Sequence, residues 1–263
     1  MDDCRTLIEA VAREAGVLLR ERFHDRHIVQ YKGEINLVTE ADHLSESLIV
    51  ERIRREFPGH DILTEESPET ANGSCFRWII DPLDGTTNYA HGYPIFCVSI
   101  ALEVKGVIML GAVYNPMLGE LFTAEKGAGA FLNGRRLTVS RTETLSLSLL
   151  ATGFPYDIRE DRNNNINYFK VMVLSAQAVR RAGSAALDLA YIAAGRFDGF
   201  WELKLAPWDT AAGWLLIEEA GGSVTDLRGD PYHLHSKGML ASNGLIHAEM
   251  ARILAGTDPL FTP

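Results

Sequence analysis

The chain has 263 residues, of which 46% are hydrophobic, and it carries a formal net charge of -10 at pH 7. This composition is typical of a globular protein with a large core, and the acidic balance, without a long run of Lys or Arg, argues against nucleic-acid binding. No stretch of about 18 apolar residues and no basic-then-apolar leader is present, so we expect neither a membrane span nor secretion, and we expect a cytoplasmic protein.

The three cysteines, Cys4, Cys75 and Cys97, are odd in number and form no Cys-x-x-Cys pair. This pattern favours reduced thiols over a disulfide framework. Cys97 lies in an apolar run and is expected to be a core residue.

Apolar side chains recur at helical spacing in two N-terminal segments, from Leu7 to Leu19 and from Leu44 to Phe57. The second segment is followed by the helix-stopping pair Pro58-Gly59, and we predict two amphipathic helices. The stretch from about Phe76 to Leu137 predicts mainly strands, with a hairpin turn at Asn133-Gly134. Its predicted strands are Trp78–Ile80, Phe96–Leu102, Val107–Tyr114 and Leu121–Thr123.

Helices and strands alternate after that stretch. Ser184 is a suitable N-cap for one helix, and Gly195 and Gly221 are suitable stops for two. The polar segment Asp161–Asn165 is the strongest candidate for a mobile surface loop, although a simple polar connection is the favoured explanation. By itself, this alternation supports a mixed α and β fold. The predicted helices are Ile166–Ala178, Ser184–Ala194, Pro207–Ala220 and Leu245–Leu254, and the predicted strands are Leu149–Thr152, Asp198–Glu202, Ser223–Asp226 and Met239–Ser242.

One acidic segment directly follows the apolar run Trp78–Ile80 and reads Asp81-Pro82-Leu83-Asp84-Gly85-Thr86-Thr87-Asn88. Asp81 and Asp84 are close enough in sequence for their side chains to converge beside the Leu83 carbonyl. A hard cation such as Mg²⁺ prefers such an all-oxygen set, and the N–H groups that follow could face an anion if a helix begins there. The same residues are also good turn formers, so a plain reversal of the chain is the alternative.

Two further acidic segments lie elsewhere in the chain. Glu65-Glu66 ends the strand-like stretch Asp61–Thr64, and Asp209 follows Trp208 at the start of a predicted helix. Each has an ordinary explanation, since neighbouring residues at a strand end point to opposite faces and an acid in a first helical turn is favoured by the helix dipole. Taken singly, the ordinary explanation is favoured for both.

The chain also carries a series of short motifs in a definite order. They are Asn36-Leu37-Val38-Thr39-Glu40-Ala41-Asp42, Glu65-Glu66-Ser67, Gly183-Ser184-Ala185-Ala186, Trp208-Asp209 and Glu219-Ala220-Gly221-Gly222. Together with the acidic loop, they resemble the inositol monophosphatase family over nearly the whole chain. The Thr87-Asn88 end of the loop resembles the inositol-phosphatase branch. Thr64 departs from the family pattern, which commonly has Gly before the Glu pair.

The resemblance implies an α+β fold, a layered α-β-α-β-α sandwich of the inositol monophosphatase and fructose-1,6-bisphosphatase type. It implies one domain over residues 1–263, with sub-halves at about 1–140 and 141–263. Converging carboxylates repel one another, and a divalent cation relieves that repulsion. The implied cofactor is accordingly Mg²⁺, as two or three ions in each active site.

Roles for individual residues follow from the resemblance. Thr86 and Asp42 would position and polarise the attacking water, and Glu66 would act through water. Lys32 and Arg180 are further candidates for the site, with a surface role an equal alternative for Arg180. The implied metal ligands are Glu65, Asp81, the Leu83 carbonyl, Asp84 and Asp209, with Asp81 bridging two ions. The implied substrate contacts are Asp84, Gly85, Thr86, Gly183, Ser184, Ala185, Glu202 and Asp209.

The expected function is therefore a Mg²⁺-dependent, lithium-sensitive phosphomonoesterase that hydrolyses inositol monophosphate through a metal-activated water and forms a homodimer. A fructose-1,6-bisphosphatase or a broader sugar-phosphate phosphatase is an alternative with the same chemistry. A third reading belongs to another class, because some bacterial proteins that resemble this chain are RNA-polymerase-associated regulators of transcription. RNA polymerase is thus an alternative partner.

Overall fold

The computed structural model describes residues 1–25, 29–31, 37–257 and 260. Lys32 and the first residue of the Asn36–Asp42 motif lie outside the described residues. The helices are α1 (Asp2–Arg22), α2 (Glu40–Glu56), α3 (Thr86–Ala90), α4 (Ile166–Ser175), α5 (Ala185–Ala193), α6 (Pro207–Glu219) and α7 (His247–Ala255). The strands are β1 (Val29–Tyr31), β2 (Leu37–Thr39), β3 (Asp61–Thr64), β4 (Phe76–Asp84), β5 (Cys97–Val104), β6 (Val107–Asn115), β7 (Glu120–Glu125), β8 (Gly129–Leu132), β9 (Arg135–Arg136), β10 (Leu149–Thr152), β11 (Ala178–Arg180), β12 (Gly199–Leu203), β13 (Ser223–Thr225) and β14 (Gly238–Ser242).

Two large sheets carry the fold. A seven-stranded sheet runs in sequence order from β3 to β9, and a five-stranded sheet has the order β11-β10-β12-β14-β13. In the first sheet β3 is parallel to β4 and the other pairs are antiparallel. Strands β1 and β2 pair antiparallel in a separate two-stranded sheet.

The helices form three layers around these sheets. Helices α1 and α2 pack their apolar stripes on one face of the seven-stranded sheet, as their periodicity predicts. Helices α5 and α6 lie between the two sheets, and α4 and α7 cover the outer face of the five-stranded sheet. The order is helix, sheet, helix, sheet, helix, which confirms the predicted α+β sandwich.

Small residues let the middle layer pack closely. A Cβ added at Gly111 of β6 would lie 3.1 Å from the Cα of Ala212 in α6, so the helix sits directly on the strand. Buried on both sides, α5 and α6 have little polar surface. The acidic residues at Asp188 and Asp209 are therefore conspicuous in these two helices.

Two sequence predictions are wrong. The helix predicted to Ala178 ends at Ser175, because Ala178 begins β11 and pairs in parallel with Leu149. The segment interpreted as a mobile surface loop or a simple polar connection contains a buried anchor, since Asn165 is 0% exposed. Its side-chain amide donates to the Thr152 hydroxyl and accepts from the Trp201 indole N–H, which ties the segment to the five-stranded sheet.

The predicted hairpin at Asn133-Gly134 is confirmed. It joins β8 to β9, and both residues have the positive φ that such a turn requires, 48° and 79°. In the part of the chain that the structure describes, no helix is both long enough and apolar enough to cross a bilayer.

Candidate active site

The acidic loop begins inside strand β4 rather than beyond it. Asp81 pairs with Ser99 and Asp84 with Cys97, so β4 has one more residue than β5 in this interval and bulges there. Gly85 follows with φ of 100°, a left-handed conformation, and a Cβ at this position would lie 2.9 Å from a backbone oxygen. Glycine thus permits the sharp change of direction into α3, and the helix expected after the loop is confirmed.

Asp81 lies at the centre of the acidic cluster. Its side chain is 1% exposed, and its Oδ1 accepts a hydrogen bond from the Leu83 N–H at 3.0 Å. Burial raises the pKa of Asp81 well above its ordinary value, and the negative charges of Glu65, Asp84 and Asp209 raise it further. Glu65 directly follows β3, Asp84 ends β4 and Asp209 belongs to α6, so the fold brings the three predicted acidic segments together.

Asp84 connects the acidic loop to α5 on the other side of the site. Its Oδ2 accepts hydrogen bonds from the Ser184 hydroxyl and the Ala186 N–H, each at 2.7 Å. Ser184 occupies the N-cap position of α5, as predicted, but its side chain does not cap the helix and instead donates to Asp84. Burial raises the pKa of Asp84, and these hydrogen bonds oppose that rise.

Asp209 enters the cluster from the first turn of α6. Its Oδ2 accepts a hydrogen bond from the Ala206 N–H at 2.6 Å, so the carboxylate also caps the helix. Burial raises the pKa of Asp209 well above its ordinary value, with Asp84 and then Glu65 adding to the effect. The ordinary role of an acid at a helix start and a role in the cluster are both present at this residue.

Glu46 of α2 accepts hydrogen bonds that fix the Glu65-Glu66 segment in place, a role that was not predicted from the sequence. Glu46 is 5% exposed on the inner face of α2. Its carboxylate accepts hydrogen bonds from the Thr64 hydroxyl at 2.6 Å, from the Glu66 N–H at 3.0 Å and from the Ser67 hydroxyl. Thr64, which departs from the family pattern, therefore adds one hydrogen bond that positions the Glu pair. The available signal was an acid on the buried face of an amphipathic helix.

Asp42 and Thr86 form a buried pair where the acidic loop enters α3. Asp42 is 0% exposed, and its Oδ1 accepts a hydrogen bond from the Thr86 hydroxyl at 2.9 Å. Its Oδ2 accepts from the N–H and the hydroxyl of Thr39, at 2.8 Å and 2.6 Å, in a capping box at the start of α2. Burial raises the pKa of Asp42 despite these hydrogen bonds. The Thr86 hydroxyl also lies 3.1 Å from the Leu83 carbonyl.

The chemistry of this cluster fits a hard divalent cation. Within the described ranges, no three His, Cys, Asp or Glu side chains form a ready coordination shell. Asp84 and Asp209 each have a carboxylate oxygen engaged by a backbone N–H. All the predicted donors are nevertheless carboxylate or carbonyl oxygens, which suit Mg²⁺. A cation would also relieve the mutual repulsion that raises the pKa of Asp81 and Asp209.

A cavity of about 350 Å³ opens beside the cluster. Asp84, Gly85 and Asp209 line the end nearest the acidic loop. Among the other lining residues are Gly153, Arg181, Gly183, Ser184, Ala185, Asp188 and Glu202. The lining does not include Asp42, Glu65, Glu66, Asp81, Leu83 or Thr86. The volume is within the range of sites for small ligands.

Glu202 forms part of the wall of the cavity. It is 8% exposed on β12, and burial, then the charge of Asp188, raises its pKa to about 8. A Cβ at Gly153 would overlap both carboxylate oxygens of Glu202, so the glycine makes room for this side chain.

The structure distinguishes two neighbouring arginines. Arg180 is exposed on β11, donates to the Val179 carbonyl and does not line the cavity. Arg181 does line it, and the exposure of Arg180 fits the surface role that was the equal alternative for that residue. The Gly183 segment is fixed by Asn88, whose side-chain amide donates to the carbonyls of Ile95 and Ala182 at 2.7 Å and 2.8 Å.

Two more residues near the site were not predicted to belong there. Asp188 lines the cavity from α5, and its presence in the apolar run Ala185–Ala193 was the available signal. Cys97 is buried, as expected of a core residue, but its Sγ lies 3.8 Å from Asp84 Oδ2 and 3.6 Å from the Ser184 hydroxyl.

Comparison with known proteins agrees with the geometry. The sequence model of the inositol monophosphatase family matches residues 1–257. The inositol-1-monophosphatase of Synechocystis sp. is 47% identical over 235 residues, which cover 89% of this chain and 82% of that protein. The Nus factor SuhB of Escherichia coli (strain K12) is 45% identical over 235 residues, or 88% of each chain. The inositol monophosphatase structure from Anabaena (Nostoc) sp. has a TM-score of 0.90 at 45% identity and covers 98% of both chains. The chain therefore belongs to the inositol monophosphatase family.

Proposed function

We propose that the protein is a Mg²⁺-dependent phosphomonoesterase that hydrolyses inositol monophosphate to inositol and phosphate. The observation that carries the proposal is the buried carboxylate cluster around Asp81, whose members come from three separate elements and repel one another at one end of a cavity. The wall of that cavity also carries Glu202, whose carboxyl suits hydroxyl recognition. Membership in a family that includes the similar Synechocystis inositol-1-monophosphatase supports this substrate class.

Five groups would hold the metal. Asp81 would bridge two ions, and the other ligands would be Glu65, the Leu83 carbonyl, Asp84 and Asp209. When bound, Mg²⁺ would supply neutralisation of the phosphoryl oxygens and activation of water. Burial of Asp81 and Leu83, each 1% exposed, keeps these donors in fixed positions.

Thr86 and Asp42 would orient the attacking water and accept its proton. Because the Thr86 hydroxyl donates to Asp42, its oxygen is left as an acceptor for a hydrogen bond from water. Asp42 stabilises that orientation and can accept the Thr86 proton as the Thr86 oxygen takes a proton from the water. Glu66, whose N–H is held by Glu46, would act on the same water network through an intervening water.

The remaining residues would bind the ester. The segment Gly183–Ala185 and Glu202 would contact the alcohol portion, while Gly85 and Thr86 would contact the phosphoryl group. Ser184 is not needed as a nucleophile, because its hydroxyl already donates to Asp84. Lys32 stays a sequence prediction for the water network.

A phosphate-release panel tests the proposal. Purified protein is assayed with myo-inositol 1-phosphate, fructose 1,6-bisphosphate and 3'-phosphoadenosine 5'-phosphate, with Mg²⁺, with excess chelator and with Mg²⁺ plus Li⁺. We expect the highest kcat/KM on myo-inositol 1-phosphate, no release in chelator and inhibition by Li⁺. Full activity in chelator contradicts the metal chemistry, whereas a higher kcat/KM on the bisphosphate moves the substrate assignment to the sugar-phosphate alternative.

Similarity to the E. coli Nus factor SuhB favours a second candidate, association with RNA polymerase as a regulator of transcription. Pull-down of purified polymerase by wild-type protein and by Asp81→Asn tests it. Capture by both proteins indicates a binding role that does not need the metal centre. A homodimer in the cytoplasm is proposed for either function, and the mass in solution measured by light scattering checks the dimer.

A further inference from the structure

Asp188 is an unexplained charge in the middle layer of the fold. It is 1% exposed on α5, among the buried apolar residues Leu187, Leu189 and Ala190. Its Oδ1 has no hydrogen-bond partner among the described residues. A buried carboxylate without a partner is costly, so folding alone gives no reason for an acid at this position.

The side chain belongs to the cavity wall and faces charges from several elements. Asp188 lines the cavity together with Glu202 of β12 and Arg181, which follows β11. Burial raises the pKa of Asp188 well above its ordinary value, with the charge of Asp84 adding to the rise and Arg181 opposing it. Asp188 in turn raises the pKa of Glu202. The two carboxyls therefore lie within electrostatic reach of each other on the wall of one cavity.

Arg181 does not neutralise Asp188 by direct contact. Within the described part of the chain, no hydrogen bond or ion pair joins the two side chains, and Arg181 is exposed. The Asp188 carboxyl, which lines the cavity, therefore keeps hydrogen-bonding capacity that no described side chain uses. Asp84, by contrast, is already engaged by Ser184 and Ala186.

Two neighbouring carboxyls on one wall match a particular kind of ligand. A polyol presents adjacent hydroxyl groups, and each hydroxyl can donate to a carboxylate or accept from a protonated carboxyl. An alcohol with a single oxygen, which is consumed in the ester bond, has no group to offer to this wall. The arrangement thus discriminates by the number and spacing of hydroxyls.

We propose that Asp188 is a specificity-determining residue that acts with Glu202 to bind neighbouring hydroxyl groups of a polyol. The proposal rests on the proposed function for the phosphate end of the same cavity and specifies how the alcohol end is recognised. A site built to hydrogen-bond a hydroxyl loses much of its selectivity when one polar partner is removed.

The test compares two buried aspartates. Asp188→Asn keeps the shape and removes the charge. Asp198→Asn is the matched control, because Asp198 is 7% exposed and already accepts hydrogen bonds from the Ser140 hydroxyl and the Leu149 N–H. The first readout is the ratio of kcat/KM for myo-inositol 1-phosphate to kcat/KM for p-nitrophenyl phosphate. The second is binding of free myo-inositol, measured by calorimetry without any turnover.

We expect Asp188→Asn to lower both the ratio and the affinity for myo-inositol by roughly tenfold or more, which is the size of one charge-assisted hydrogen bond. Its thermal midpoint should not fall, because Asp188 Oδ1 makes no hydrogen bond within the described protein that the substitution would remove. Asp198→Asn should lower the midpoint and leave the ratio within about twofold of wild type. A second variant, Asp188→Ala, should reproduce the loss of selectivity.

The outcomes separate this proposal from the function on which it rests. If the wild type binds myo-inositol in an Asp188-dependent manner but releases no phosphate, the proposed function fails and the role of Asp188 stands. If the wild type is an active phosphatase and Asp188→Asn leaves ratio and affinity unchanged, the role of Asp188 is refuted. A lower thermal midpoint in Asp188→Asn without a change in selectivity likewise assigns the residue to the fold and overturns the proposal.

Discussion

Replacing Glu202 by Gln should change how the stability of the protein depends on pH. The side chain is 8% exposed, and burial is the largest cause that raises its pKa from 4.5 to about 8. In the unfolded chain the same carboxyl ionises near its ordinary value. Between these two pKa values the folded state therefore holds more protons than the unfolded state, and raising the pH favours unfolding.

The size of the effect follows from the difference between the two pKa values. From 4.5 to about 8 is about 3.5 units, and each unit corresponds to about 1.36 kcal/mol, so Glu202 can lower the free energy of unfolding by at most about 5 kcal/mol across this window. That is a large part of the total stability of an ordinary domain. Gln has no such titration, so the free energy of unfolding of the variant, relative to that of the wild type, should rise steadily with pH.

Urea unfolding in the presence of chelator measures the difference. Wild type and Glu202→Gln are compared at several values between about pH 5 and about pH 8, with exposed Glu143→Gln as the control for loss of one acidic charge. The other buried carboxyls contribute to all three proteins, so the difference between them isolates Glu202. Parallel stability curves for wild type and Glu202→Gln would refute the reasoning, because they would mean that Glu202 ionises equally easily in both states.

Three kinetic predictions follow from the cluster and the cavity, each checked by phosphate release from myo-inositol 1-phosphate. Asp81→Asn should lower kcat/KM by about 10³-fold, because a charge is lost from the centre of the cluster; a tenfold effect or less contradicts a bridging role. Thr86→Val keeps the shape but removes the hydroxyl, so kcat should fall by about 10²-fold with little change in KM, and a change confined to KM would argue against water positioning. Gly153→Ala should displace Glu202 and raise KM, whereas Gly59→Ala, with nothing within 4 Å of the added Cβ, serves as its control and should behave as wild type.

Helix and strand predictions succeeded where one face of an element meets water. The apolar stripe of α1 contrasts with its charged outer face, and its periodicity predicts the helix directly. In α5 and α6 that contrast is absent because both lie between sheets, so their ends were predicted from capping and stop residues. The strand β11 was missed because its partner, Leu149, lies far away in the sequence. The layered arrangement itself came from the family resemblance rather than from periodicity.

The candidate site, like the fold, was predictable from the sequence only in part. Its acidic residues are visible as short motifs, but the contacts that organise them join distant segments. Ser184 donates to Asp84 across 100 positions of sequence, and Thr64 donates to Glu46 across 18. Such pairings have no local signature, which is why the N-cap position of Ser184 was predicted and its hydrogen bond was not. Asp188 was not predicted as a site residue, because the sequence shows a single acid in an apolar helix but not the cavity that the residue lines.

The two sheets contribute to the site unequally. Asp81 and Asp84 lie on β4 of the seven-stranded sheet, and Glu65 directly follows β3 of the same sheet. Glu202 belongs to the five-stranded sheet, and Asp188 belongs to α5, which lies between the two sheets. Under the proposed roles, the phosphate chemistry and the choice of alcohol are therefore encoded largely in different sheets, which both contribute to the wall of one cavity. Substitutions in the five-stranded sheet or α5 could retune the alcohol without disturbing the acidic cluster. A common reaction centre could in this way serve a series of phosphate esters, with new substrate ranges arising from a few changes on one wall.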